Sequence, residues 1–181
     1  MKAVIIEKFG DLGGSIIKTG LDIPTPGINE VLIKVRAAGV NRPDILQRQG
    51  LYKLPKGASP IMGLEVAGEI IETGKDVTKK KLGKSVCALV PGGGYAEYVV
   101  TNEAHCLPIP KGLSTEEAAG LCECLFTVWI NMVKLGQLKD KDTFLVHGGS
   151  SGIGMFAIQL AKQLGAKVLT TVKNKEKSDF C

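Results

Sequence analysis

The sequence predicts an α/β chain in two parts, a β-rich region over residues 1–113 and a βαβ unit within residues 114–181. Three observations carry this. Short apolar runs broken by glycine and proline fill the first part. A capping sequence, Ser114-Thr-Glu-Glu117, follows Pro108 and Pro110 and marks the change to helix. Residues 143–154, T-F-L-V-H-G-G-S-S-G-I-G, then read as an apolar strand that passes through a glycine-rich turn into an amphipathic helix.

Taken in order, strands are expected at residues 3–6, 31–36, 66–72, 85–90 and 95–100, each apolar and bounded by turn residues. The 23 glycines are scattered and not periodic, which fits many short strands. The domain boundary is placed at residues 113/114, where the capping sequence starts a helix. A second helical stretch at about 125–135 ends near Gly136, and a turn at 140–142 leads to the Thr143 strand. Beyond the glycines, Ile153, Phe156, Ala157, Leu160 and Leu164 recur at helical spacing; Gly165 closes the helix and residues 167–172 form a second strand.

The glycine turn carries chemistry. Gly148, Gly149, Gly152 and Gly154 allow the backbone to approach phosphate oxygens, while unpaired N–H groups at a helix start supply donors and partial positive charge. The spacing departs from the strict G-x-G-x-x-G fingerprint, so the flanking strand and helix must carry the assignment against a mobile Gly/Ser loop. The unit then opens a Rossmann dinucleotide-binding domain. Such a domain has six strands, so the sheet is expected to be incomplete at Cys181, and the C-terminal third to be poorly stable unless further material completes it. An NAD-binding unit carries an acid about 20 residues after the glycines; here the second strand runs into Val172, Lys173, Asn174 and Lys175. NADPH is therefore the expected coenzyme. Lys173, Lys175 and Lys177 would neutralise a 2′-phosphate and Asn174 would hydrogen-bond it, with a solvated lysine face as the alternative for any one lysine.

Short-chain dehydrogenases are excluded. Their glycine pattern is satisfied, and residues 52–56 spell Y-x-x-x-K, but the order of the two motifs is reversed and Pro55 does not suit a helix interior. A net charge of +5 is mild, and the lysine run at 79–81 reads as a surface turn without interleaved aromatics, which argues against nucleic-acid binding. No apolar run approaches the roughly 18 residues of a membrane span, and residues 1–8 read as an opening strand, not a signal sequence. Five cysteines without a C-x-x-C pair suit a reducing compartment, so a cytoplasmic protein is expected.

Five ordered motifs carry a resemblance: A-G-V-N-R-P-D at residues 38–44, Q-R-Q-G-L-Y at 47–52, G-L-E-V-A-G at 63–68, L-V-P-G-G-G-Y-A-E-Y at 89–98, and the H-G-G-S-S-G-I-G turn. Together they resemble the zinc-free quinone oxidoreductases of the medium-chain dehydrogenase/reductase superfamily. The p53-inducible quinone oxidoreductase branch is the nearest likeness. The resemblance covers the whole chain and implies an N-terminal GroES-like substrate domain, a Rossmann NADPH-binding domain whose family form continues past Cys181, and a homodimer for the full-length parent. It implies NADPH-dependent reduction of quinones or related enones by direct hydride transfer. A chain ending here also admits a non-enzymatic reading, a truncated isoform or fragment acting as a binding module.

Where zinc-dependent members carry a ligand cysteine this chain has Asn41, and where they carry a ligand histidine it has Leu64. Glu123 stands at the place of a further ligand, but one carboxylate cannot supply the three protein ligands of a catalytic zinc. By the resemblance, Asn41 would hydrogen-bond near the nicotinamide ribose or a substrate oxygen, or else cap a loop. Tyr52 would line the substrate pocket and donate to a quinone oxygen, or pack in its turn. Thr127 would lie beside the nicotinamide, with bonding to its own helix as the alternative. Gly149, Ser150, Ser151, Gly152, Ile153 and Gly154 would hold the pyrophosphate, and Lys173, Asn174 and Lys177 the 2′-phosphate. Asp44 and Glu65 read as residues that fix the pocket loops, His147 as packing, and Cys122 and Cys124 as core.

Overall fold

The computed structural model describes residues 1–77 and 82–181; the lysine run at 79–81 lies outside the described residues. The chain forms two compact units, Met1–Glu123 and Cys124–Cys181.

In the first unit, β1 (Ala3–Ile6) pairs antiparallel with β2 (Ser15–Lys18). An antiparallel sheet of order β6-β3-β4-β5-β7 follows, built from β3 (Glu30–Ala38), β4 (Glu65–Thr73), β5 (Ser85–Leu89), β6 (Tyr98–Asn102) and β7 (Cys106–Pro108). Alternation places Val31 and Ile33 on one face of β3, where they meet Val66, Ile70, Val86 and Val99 in the core. Among the elements that sequence periodicity misses are β2, β7, and α1 (Arg42–Arg48), whose start is marked by Asn41 at the N-cap and Pro43 in the first turn. The strand expected from residue 95 begins at Tyr98. Its upstream backbone is engaged elsewhere, with Gly94 N–H on Gly63 O, Tyr95 N–H on Met62 O and Glu97 N–H on Lys2 O.

Helix α2 (Thr115–Ala119) carries the expected capping box, Ser114 N–H donating to Glu117 at 2.8 Å and Glu117 N–H to Ser114 Oγ at 3.2 Å. It packs against β3, β4 and β5. The first unit accordingly reaches Glu123, beyond the boundary expected at residues 113/114.

Helix α3 (Cys122–Val128) runs into a π-helical stretch, Trp129–Leu135, and Gly136 follows. The second unit then contains β8 (Thr143–His147), α4 (Gly152–Gln163), β9 (Lys167–Thr171) and α5 (Lys175–Phe180). Strands β8 and β9 are parallel, in register from Thr143 opposite Lys167 to His147 opposite Thr171. Ala157 and Ala161, one turn apart on α4, let the helix sit close to Val128, Met132 and Ala166. Leu145 and Leu169 are register partners and remain 54% and 47% exposed. Among the described residues no helix is long and apolar enough to cross a membrane.

Candidate functional site

The first unit gathers its polar chemistry around Asn41. Two acidic residues, Asp44 and Glu65, are each only 2% exposed, so every carboxylate oxygen needs a donor. Asp44 Oδ2 accepts from Asn41 N–H at 2.8 Å and from the Tyr95 hydroxyl at 2.8 Å, and Oδ1 accepts from Gly63 N–H at 3.2 Å. Glu65 Oε1 accepts from Asn41 Nδ2 at 2.7 Å and Oε2 from Glu123 N–H at 2.9 Å. Gly39 makes room for this second carboxylate: a Cβ at residue 39 would fall 2.6 Å from Glu65 Cδ. Asn41 is therefore held through its backbone by one buried acid and through its side chain by another.

Burial pushes the Glu65 carboxyl above the ordinary carboxylate range, outweighing its hydrogen bonds from Glu123, Asn41 and Cys122. Burial and then the bond to Asp44 push the Tyr95 phenol far up, so it stays a donor. A carboxyl raised on folding favours the native state fully at pH below its unfolded value, and that contribution is lost as pH rises through the folded value. Thermal midpoints measured upward from about pH 4.5 should fall relative to Glu65→Gln, which cannot ionise; parallel curves would contradict this coupling.

Tyr52 lies half-buried in the loop after α1. The phenol joined to the Asn41 network is Tyr95, which sequence reasoning missed although it sits in the quoted G-G-G-Y motif. Asp44 and Glu65 do fix the loops, as expected, and the first clue was two acids inside otherwise apolar motifs. Cys122 is buried, and its thiol is pushed far up by the hydrogen bond with Cys87 and by burial. No disulfide joins the five cysteines.

In the second unit the glycine turn is braced from within. Gly148 and Gly149 N–H both donate to Thr171 O, at 3.0 and 3.1 Å. Ser151 caps α4: its hydroxyl donates to Gly148 O at 2.8 Å and accepts from Gly154 N–H at 3.0 Å. These bonds occupy the amides of Gly149 and Gly154, which the sequence reading offers to pyrophosphate. The amides of Ser150, Gly152 and Ile153 are outside this network and stand at the positive end of a twelve-residue helix. Gly154 is buried, and a Cβ there would collide with Gly148 O and fall 2.7 Å from Gly149 Cα. A cradle of this shape, with close backbone crossing and unengaged helix-start amides, fits a dinucleotide pyrophosphate.

His147 is exposed, with Nδ1 3.0 Å from Thr171 Oγ1. The packing role expected of it is corrected: alternation along β8 turns it outward with Thr143 and Leu145. Thr127 and Ile153 share an apolar cleft of about 250 Å³ with Val128, Met132, Phe144 and Ala157. After β9, Asn174 caps α5 by accepting from Lys177 N–H at 3.0 Å, which leaves Nδ2 as a donor. Lys175 pairs with Asp179 at 2.6 Å, whereas Lys173 and Lys177 are exposed.

This architecture, an antiparallel β unit followed by a βαβ unit, is shared with proteins of known family. Residues 27–111 match the family model of the alcohol dehydrogenase GroES-like domain, and the relatives and fold neighbours support the likeness to the medium-chain dehydrogenase/reductase superfamily. The chain is 33% identical over 177 residues to the quinone oxidoreductase of Sus scrofa, covering 97% of this chain and 54% of that protein. Among solved structures it superposes on the quinone oxidoreductase of Pseudomonas syringae pv. Tomato DC3000 with TM-score 0.85 and 31% identity, covering 98% of this chain and 55% of that one. The CurK enoyl reductase gives TM-score 0.88 and 26% identity, covering 99% and 56%. The chain spans about half the length of these relatives. The expected α/β fold, a GroES-like domain followed by the first βαβ portion of a Rossmann domain, is the one observed.

Proposed function

We propose that the protein reduces quinones, or related enones, by direct NADPH-dependent hydride transfer without a metal. The single observation that carries this reading is the braced glycine turn at the start of α4, followed by the basic exit of β9. Bound NADPH would supply the hydride. The amides of Ser150, Gly152 and Ile153 would hold its pyrophosphate, and Lys173, Lys177 and Asn174 Nδ2 its 2′-phosphate. Thr127 and Ile153, on a shared apolar cleft, would exclude water beside the nicotinamide. Tyr52 would donate to the substrate oxygen. Quinone carbonyls are re-protonated readily after reduction, so positioning suffices without a strong general acid.

Enones are kept as substrates because a fold neighbour is an enoyl reductase, and hydride addition to a conjugated carbon makes the same demand for position. Titration should show NADPH bound at least about tenfold more tightly than NADH, as expected for charge-assisted contacts to one phosphate. Salt should shrink the preference, and Lys173→Ala with Lys177→Ala should abolish it. Quinone and enone reduction should proceed equally with and without a chelator. Equal affinity for the two coenzymes would overturn the coenzyme assignment, and loss of rate on chelation would overturn the metal-free chemistry.

A further inference from the structure

We propose that Cys124 and Cys181, two thiols that bracket the glycine turn, are sites of covalent addition by electrophilic quinones and enones, and that an adduct there shuts the pyrophosphate cradle. This rests on the proposed cradle and the proposed substrate class. The two cysteines reach one turn from different elements of the second unit. Cys124, on α3, places Sγ 3.3 Å from the point that a Cβ on Gly152 would occupy. Beyond the chain neighbours and own helix of Gly152, no other atom of the described residues comes within 4 Å of that point. Cys181, at the end of α5, places Sγ 3.0 Å from the corresponding point on Gly149. One sulfur therefore edges the open side of exposed Gly152, whose amide is among the three offered to the pyrophosphate, and the other backs buried Gly149.

Both sulfurs are within reach of a small reagent. Cys181 is exposed and Cys124, expected in the core, is only partly buried, whereas Cys87, Cys106 and Cys122 are buried. The thiolate is the reacting form. Its sulfur adds to an unsubstituted ring carbon of a quinone or to the β-carbon of an enone. The S–C bond forms as the carbon–carbon π bond opens, the electron pair moves onto the carbonyl oxygen, and the proton given up by the thiol ends on the product. No oxidant or reductant is consumed. A ring carried by Cys124 would stand over Gly152, where the phosphates must come close to the amides of Gly152 and Ile153. Gly149 has less room still, since Thr170 Oγ1 is 2.3 Å from the point of its Cβ. A ring carried by Cys181 must swing away with the end of α5 or push Gly149, whose N–H is bound to Thr171 O at 3.1 Å. Bound coenzyme covers the same space, so coenzyme and electrophile exclude each other. A protein short of NADPH would be captured by its own substrate class.

The test uses the whole chain, N-ethylmaleimide as a colourless Michael acceptor, and NADPH affinity by fluorescence titration, each treated sample read against its own untreated half. Treated wild-type protein should gain one whole reagent mass on each of Cys124 and Cys181 and stay folded by circular dichroism. Its NADPH affinity should fall at least about tenfold, the scale of one charge-assisted hydrogen bond. The double variant Cys124→Ser, Cys181→Ser should keep its affinity to within about twofold after the same treatment, and the single variants show which sulfur carries the block. NADP+, which cannot reduce the reagent, should slow labelling about tenfold when present at about ten times its Kd, in proportion to the protein left unoccupied. p-Benzoquinone should act as N-ethylmaleimide does, and duroquinone, which has no unsubstituted ring carbon, should not. Unchanged affinity with both thiols labelled, or the same loss in the double variant, would overturn the inference and leave the coenzyme assignment standing. An untreated protein that does not bind NADPH would overturn that assignment and this inference with it.

Discussion

Replacing Gly154 by valine should abolish measurable NADPH binding, a loss of at least about a hundredfold in affinity, while leaving the first unit folded. The position is crowded before any side chain is added. A Cβ there would strike Gly148 O and approach Gly149 Cα to 2.7 Å, so backbone and not a flexible side chain must move. What moves is the turn itself. Gly148 O is the acceptor for the Ser151 hydroxyl, and that hydroxyl in turn accepts from Gly154 N–H. Pushing residues 148 and 154 apart breaks both bonds and releases the amides of Ser150, Gly152 and Ile153 from a common orientation. Several charge-assisted hydrogen bonds to one pyrophosphate are then lost together, each worth roughly 1.5–3 kcal/mol. Ser151→Ala is the graded comparison: it deletes the cap alone and should cost about 1 kcal/mol of stability, with a smaller loss of affinity. Fluorescence titration with NADPH, alongside circular dichroism, separates these effects. A folded Gly154→Val protein that binds NADPH normally would mean that the cradle lies elsewhere.

How far residues alone announce this structure depends on whether the deciding contact is local. The β8-turn-α4 segment was readable because strand, glycine turn and helix are consecutive and each has its own period or cap. The α2 capping box is equally local. By contrast β2 is a strand because β1 pairs with it, and β7 because it lies along β5; neither has a pattern long enough to stand alone. The pyrophosphate loop could be located but not its donors, since only the bonds to Thr171 reveal which amides are spent. The Asn41 network was hidden for the same reason. Its members come from residues 41, 44, 65, 95 and 123, and the sequence separation between Tyr95 and Asp44 leaves no periodic trace. Tyr52 and Tyr95 both occupy recognisable motifs, and only the fold shows which phenol reaches the buried acid.

The second large effect is expected at Asp44, where alanine should destabilise the first unit by about 3–5 kcal/mol, the range found when one partner of a buried charged set is removed. The carboxylate is 2% exposed and serves three donors: Asn41 N–H, Gly63 N–H and the Tyr95 hydroxyl. Each donor left without an acceptor in a buried site carries its own desolvation penalty, and the deletion also leaves a void at the start of α1. Against a typical domain stability of roughly 5–15 kcal/mol, the unit should be left marginal, its melting midpoint lowered on the order of 10 °C or more. Two variants resolve the mechanism. Tyr95→Phe removes one donor and leaves the acid in place, so it should cost about 1 kcal/mol. Asp44→Asn keeps the volume but can offer only one oxygen; with that oxygen on Asn41 and Tyr95, its NH2 would oppose Gly63 N–H, and the loss should fall between the other two. Chemical denaturation of the three variants gives the order directly. If alanine at residue 44 proves no more costly than phenylalanine at residue 95, then the two backbone donors find water instead, and the acid does not hold the loops together.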